Sequence, residues 1–167
     1  MKIPVFVSAP TALNVEQESS RKAILRELDK LGLEPRTLGR SDYPTELPLR
    51  EVLLLAKHCS GGVILGFEQF FSEKGVRKRK TSEEKNADGL VFPTPWNHLE
   101  AGILFSLGLP LLVFAESGIS GGIFDHGVTD VFVHKMPSPK ISRLDAKALS
   151  AVFQKWQASV RQHYYAK

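Results

Sequence analysis

One cysteine in 167 residues, Cys59, excludes an intramolecular disulfide and any cysteine-rich zinc site. It stands before an apolar run beside Gly61-Gly62, where a small buried thiol is the plainer reading than a nucleophile. The five histidines show no H-x-x-x-H spacing, so no metal is expected. No apolar run reaches the ~18 residues of a membrane span, and the N-terminus lacks a basic-then-apolar signal. The expectation is therefore no membrane partner and a cytoplasmic location. Internal repeats and low-complexity segments are also missing, as is any G-x-x-x-x-G-K-[ST] or G-x-G-x-x-G motif after the first strand. The glycine-rich stretch 116–127 accordingly reads as a loop with a tight turn at Gly121-Gly122.

What is present is ordinary for a soluble globular chain: 43% hydrophobic and 24% charged residues, in a length that fills one core. A single domain over 1–167 is expected. The net charge of +4 is concentrated in the run Lys74 to Lys80, but Glu83, Glu84 and Asp88 follow at once. That segment reads as a mixed-charge solvated loop rather than a nucleic-acid footprint.

Strand and helix signals alternate five times. Apolar runs predict strands at 3–7, 33–38, 62–67 and 109–115, with a fifth at 130–134. Helices are predicted over 15–31 (Ile24, Leu25, Leu28 and Leu31 inward), from Thr45 to His58 (Leu49, Val52, Leu53 and Ala56 inward), over 95–107, and from the cap Ser142 to about 164. Pro137 and Pro139 interrupt the chain before the last. Right-handed crossovers then give an α/β fold of three layers, a flavodoxin-like five-stranded parallel sheet of order 2-1-3-4-5 with helices on both faces. The connection 68–93 is unusually long and is expected to be an inserted charged loop, its ends anchored by Phe70, Phe71, Val91 and Phe92.

The helix 95–107 is signed at both ends, by Thr94 and Pro95 at its start and Gly108 at its stop. At ~100° per residue, Glu100 falls in the middle of the stripe formed by Trp96, Ile103, Leu104 and Leu107. A carboxylate on a face that should be buried needs compensation, and in an α/β chain the helix start faces the ligand crevice. Ser8, Thr11, Arg40, Asp42 and Phe67 all follow strands at that same edge. His98 lies about 160° from Glu100 and reads as a surface residue.

One semi-buried carboxylate, a neighbouring indole and hydroxyls on the first loop suit chemistry through an oxocarbenium-like state. Cleaving an N-glycosidic bond builds positive charge on the ribose ring, and a carboxylate below C1′ stabilises it or attacks it. Glu100 is the candidate catalytic residue. Trp96 would stack on a base or close the pocket, Asn97 and Asp42 would orient ribose hydroxyls, and Ser8, Thr11, Arg40 and Phe67 complete the candidate substrate-binding set. Each has a plainer reading: Arg40 and Asp42 paired with each other, Ser8 and Thr11 bonded to loop backbone, Asp125 and His126 in a glycine-flanked turn.

Trp96-Asn97-His98-Leu99-Glu100 resembles the Trp-x-x-x-Glu of TIR domains, and Val5-Phe6-Val7-Ser8 is similar to their opening strand. Leu49–Phe67 resembles their helix and strand leading into that motif. Glu100-Ala-Gly-Ile-Leu-Phe-Ser-Leu-Gly-Leu-Pro also resembles the E-x-G-x-A-x-x-x-G-x-P of nucleoside 2-deoxyribosyltransferases. The chain departs from the second pattern at Leu104, where alanine is usual, and at Ser8-Ala9-Pro10, where Gly-Pro is. The insert 68–93 is typical of neither. The resemblance implies the flavodoxin-like fold and Glu100 as the residue that cleaves NAD or attacks a deoxyribose C1′. It leaves three functions open: an NAD nucleosidase releasing nicotinamide, with NAD as substrate and no cofactor; deoxyribosyl transfer between bases; or a non-catalytic nucleotide-binding signalling module working as a homo-oligomer or with a partner protein.

Overall fold

The computed structural model describes residues 2–42, 45–138, 140 and 142–166; Pro139, expected to interrupt the chain, and Tyr43 and Pro44, in a stretch whose sequence reads as a polar loop, lie outside them. In chain order the elements are β1 (Ile3–Ser8), α1 (Val15–Lys30), β2 (Leu33–Arg36), α2 (Pro48–His58), β3 (Gly62–Gly66), β4 (Phe70–Ser72), β5 (Val76–Arg77), β6 (Lys85–Asn86), β7 (Leu90–Phe92), α3 (Pro95–Ser106), β8 (Leu111–Ala115), β9 (Val133–Lys135) and α4 (Arg143–Tyr165). A 3-10 turn, Gly122–Phe124, lies between β8 and β9.

The central sheet has five strands in the order β2-β1-β3-β8-β9, all parallel. Counting only its own strands, this is the expected 2-1-3-4-5. Alternation of side chains divides the core in two. Val5, Val7, Val63, Leu65, Leu112 and Phe114 point to one face, against Ile24 and Leu28 of α1 and Phe153, Trp156 and Val160 of α4. Phe6, Ile64, Leu111 and Val113 point to the other, against Val52, Leu55 and Ala56 of α2 and Ala101 and Leu104 of α3. A sheet covered on both sides explains why β3 and β8 are buried at every residue.

Several expectations change. The segment 68–93 is not an irregular loop. β4 and β7 pair antiparallel with Phe70 opposite Phe92, and β5 and β6 pair further out with Val76 opposite Asn86. The result is a two-tiered hairpin rooted at the sheet's carboxyl edge, its foot closed by Gln69 N–H donating to Phe92 O at 2.9 Å. Its charges partly satisfy one another, as in the Lys78–Glu83 ion pair.

α2 starts at Pro48, three residues later than expected. Glu51 Oε1 accepts from the backbone N–H of Thr45 and Glu46, which holds that stretch outside the helix. The inward face of α2 turns correspondingly: Leu49 and Leu53 are exposed, and Leu55 is buried in their place. β2 stops at Arg36 because Thr37 O accepts from Ser41 and Asp42 N–H and Gly39 turns left-handed, at φ 75°. Cys59 is buried in the core, as expected.

Two glycines should respond oppositely to the same added methyl. A Cβ on Gly66 would stand 2.5 Å from the Phe124 ring, whereas one on Gly102, exposed on α3, meets nothing within 4 Å. In urea unfolding, Gly66→Ala is expected to lose about 1–3 kcal/mol and Gly102→Ala to gain about 1 kcal/mol.

Candidate active site

The site is built on the first turns of α3. Thr94 caps the helix, its hydroxyl accepting from Trp96 N–H at 3.3 Å, and Pro95 takes the first helical position. The buried residues of α3 are Asn97, Glu100, Ala101 and Leu104, a spacing of three, four and seven. Ala101 and Leu104 pack on the sheet, which carries Asn97 and Glu100 to its carboxyl end. Trp96, expected in this stripe, is 41% exposed and stands at the rim instead.

Glu100 is 9% exposed and borders a cavity of about 360 Å³. One wall is the β1–α1 loop at Pro10 and Thr11, and a second is the turn at Leu38-Gly39 with Pro48 and Val52 of α2. The third comprises Gln69, Thr94 and Trp96. Glu100 is the one ionisable side chain among the described residues of this lining. Loss of water with no cation in that wall pushes the Glu100 carboxyl up to about 7, and a hydrogen bond from Ser8 pulls it part of the way back.

Ser8, at the end of β1, is 1% exposed, and its hydroxyl accepts from Asn97 Nδ2 at 2.7 Å. Strand parity places it here, because Ser8 shares the face of Phe6, the α2–α3 side. The same rule sends Phe67 the other way. It is fully buried in the core against α1 and α4 and is absent from the cavity wall. Asn97 is likewise buried behind Glu100 rather than lining the cavity.

Arg40 and Asp42 do not pair with each other, and neither lines the cavity. Asp42 is held by Arg36, with Arg36 Nε at 2.9 Å from Oδ2, and this hydrogen-bonded guanidinium keeps the carboxyl below its ordinary range. Arg40 Nη2 donates to the carbonyls of Pro10 and Thr11 at 3.1 and 2.9 Å and faces Glu18 at 3.5 Å. It thereby straps the β1–α1 loop to the turn after β2, so it sets the spacing of two walls. Thr11 lines the cavity as expected.

His98 is not a free surface residue. It packs edge-on against Phe124, ring centroids 5.5 Å apart, and burial lowers its imidazole below the ordinary value. Asp125 Oδ1 accepts from Gly121 N–H at 2.7 Å, which accounts for it as part of a turn. Sequence reasoning missed Gln69, which reaches the wall from the foot of the hairpin while its Nε2 donates to Ala12 O at 3.2 Å. The matched apolar doublets Phe70-Phe71 and Val91-Phe92 were the available signal for that foot.

Comparison of the chain with family models, with curated proteins and with solved structures finds no match.

The raised carboxyl fixes a sign for stability. An acid whose folded pKa lies above its unfolded value is neutral in both states at low pH, and stability falls as pH rises from the unfolded value through the folded one. With a shift from 4.5 to about 7, the cost reaches the order of 3 kcal/mol above pH 7 and vanishes below about pH 4.5. Glu100→Gln is therefore expected to unfold at a higher temperature than the parent at pH 8 and at nearly the same temperature at pH 4.5, measured by circular dichroism melts.

Proposed function

We propose that the protein cleaves an N-ribosyl bond at Glu100, with NAD as the substrate and nicotinamide as the leaving base. The observation that carries this reading is a buried carboxylate as the one ionisable group among the described residues of a wall that is otherwise uncharged and has an indole at its rim. Such a wall disfavours anions and suits a cationic pyridinium ring, which gains from a carboxylate and from the face of an indole. A cavity of about 360 Å³ takes a nucleoside-sized portion of a ligand, so the riboside half would sit inside with the phosphates at the mouth.

Catalysis would follow from charge placement. As the glycosidic bond breaks, its electron pair leaves with the base, which neutralises the pyridinium, and the ribose ring becomes positive. An ionised Glu100 facing C1′ stabilises that cation or bonds to it, and water then completes hydrolysis. No proton is needed by the leaving nicotinamide. A cationic ligand favours the ionised form of Glu100, so binding itself would prepare the carboxylate.

A second reading, attack on a neutral nucleoside followed by base exchange, is favoured by the same uncharged lining. There an ionised Glu100 bonds to C1′ as the C1′–N bond breaks, and the departing base takes its proton from solvent water.

The substrate consumed separates them. If NAD is the substrate, kcat/KM should fall tenfold per pH unit below about 7, where free Glu100 is protonated. Base exchange on deoxynucleosides with NAD left intact supports the second reading. In either case Glu100→Gln should reduce turnover by about a thousandfold or more, measured as nicotinamide or free base released. Parental rates in that variant would remove the assignment.

A further inference from the structure

Asn97 is the least expected member of the buried stripe. It is fully enclosed, and its Oδ1 has no hydrogen-bond partner among the described residues. An amide placed where a helix normally puts an aliphatic side chain, with half of its bonding capacity unused, contributes poorly to the core. Its one close bond is to Ser8 Oγ, at 2.7 Å.

The orientation of that amide is decided by its surroundings. Asn97 Nδ2 lies 3.5 Å from the Ser8 carbonyl oxygen as well as beside Oγ. Turning the amide over would set Oδ1 against that carbonyl, so the nitrogen belongs on the Ser8 side. Ser8 Oγ therefore accepts from Asn97. A serine hydroxyl has a single proton, and the acceptor one helical turn on from Asn97, along the same buried stripe of α3, is the Glu100 carboxyl, on which Ser8 acts. The backbone of Ser8 is fixed independently by its place opposite Ile64 in the parallel ladder. The three groups follow one another from the core to the cavity, amide, hydroxyl and carboxyl.

We infer that Asn97 is a positioning residue for Glu100: its amide occupies the lone-pair side of Ser8 Oγ, which aims the one Ser8 proton at the Glu100 carboxyl and holds that carboxyl in a single orientation at the cavity wall. Neither Asn97 nor Ser8 needs to touch the substrate. This arrangement matters for chemistry on the reading proposed above, in which Glu100 is the reacting carboxylate. Its existence can be tested without any turnover.

The test is a carbon-13 NMR titration of the Glu100 carboxyl in protein labelled at glutamate, with Glu100→Gln assigning the signal. Ser8→Ala, which removes the donor, should move the titration upward by about half a pH unit or more. Asn97→Ala should move it the same way and by no more, because Ser8 then shares its proton among other orientations. The double variant should move it no further than Ser8→Ala alone, the non-additivity of two residues acting through one bond. Asn97→Asp is nearly isosteric and keeps the core filled. Its carboxylate would draw the Ser8 proton away from Glu100, with an upward shift at least as large as that of Asn97→Ala.

An unmoved Glu100 titration in Ser8→Ala, or in both Asn97 variants, would overturn the inference, and so would single shifts that add in the double variant. On turnover, Asn97→Ala should lower kcat with KM near the parental value. A parent inactive on both NAD and deoxynucleosides would defeat the functional reading alone, and the titrations would still decide the role of Asn97.

Discussion

The organising constraint in this molecule is a carboxyl group held out of water with one hydroxyl to answer it. Glu100 lies on the buried stripe of α3, in a wall with no other ionisable side chain among the described residues, and only Ser8 offsets its desolvation. Such an arrangement is unfavourable for folding and favourable for chemistry in which positive charge develops nearby. The rest of the site arranges its surroundings. The indole shelters it, the strapped β1–α1 loop stands opposite, and the capped helix start fixes its height above the sheet.

Strand parity distributes the roles. Because side chains alternate across β1 and β3, Ser8 and Ile64 face α2 and α3, while Val7, Leu65 and the following Phe67 face α1 and α4. One residue more or less in β1 would exchange the hydroxyl for an aliphatic group. The position of Ser8 beside Asn97 and Glu100 is thus a matter of register, fixed by ladders on both sides of β1.

The architecture was legible because its signals are periodic and redundant: two-face apolar runs for β3 and β8, amphipathic stripes for the helices, and a Thr-Pro start with a glycine stop for α3. Glu100 stood out for the same reason, a charge in phase with apolar neighbours. What was not legible depended on partners far away in sequence. Phe67 follows a strand at the correct edge, but its side depends on counting from the strand's buried face. Arg40 and Asp42 are near neighbours, yet each has another partner, Glu18 and Arg36, supplied by α1 and β2. Asn97 reads in the sequence as a polar residue awaiting a ligand, since nothing local shows that β1 brings the Ser8 hydroxyl to 2.7 Å from its amide nitrogen. In the sequence the hairpin reads as a loop because its strands are two or three residues long, below the length at which alternation can be recognised.

That hairpin leaves the domain and returns to it at adjacent points. The bond from Gln69 N–H to Phe92 O joins the two feet, and Gln69 on one side and Thr94 on the other are already part of the cavity wall. Everything beyond the join is closed off as a separate excursion. Lengthening a closed excursion raises the entropic cost of closing it only logarithmically and leaves its endpoints where they were. The outer arm can consequently differ in length and charge without moving the chamber beneath it, a division between an appendage and a fixed base.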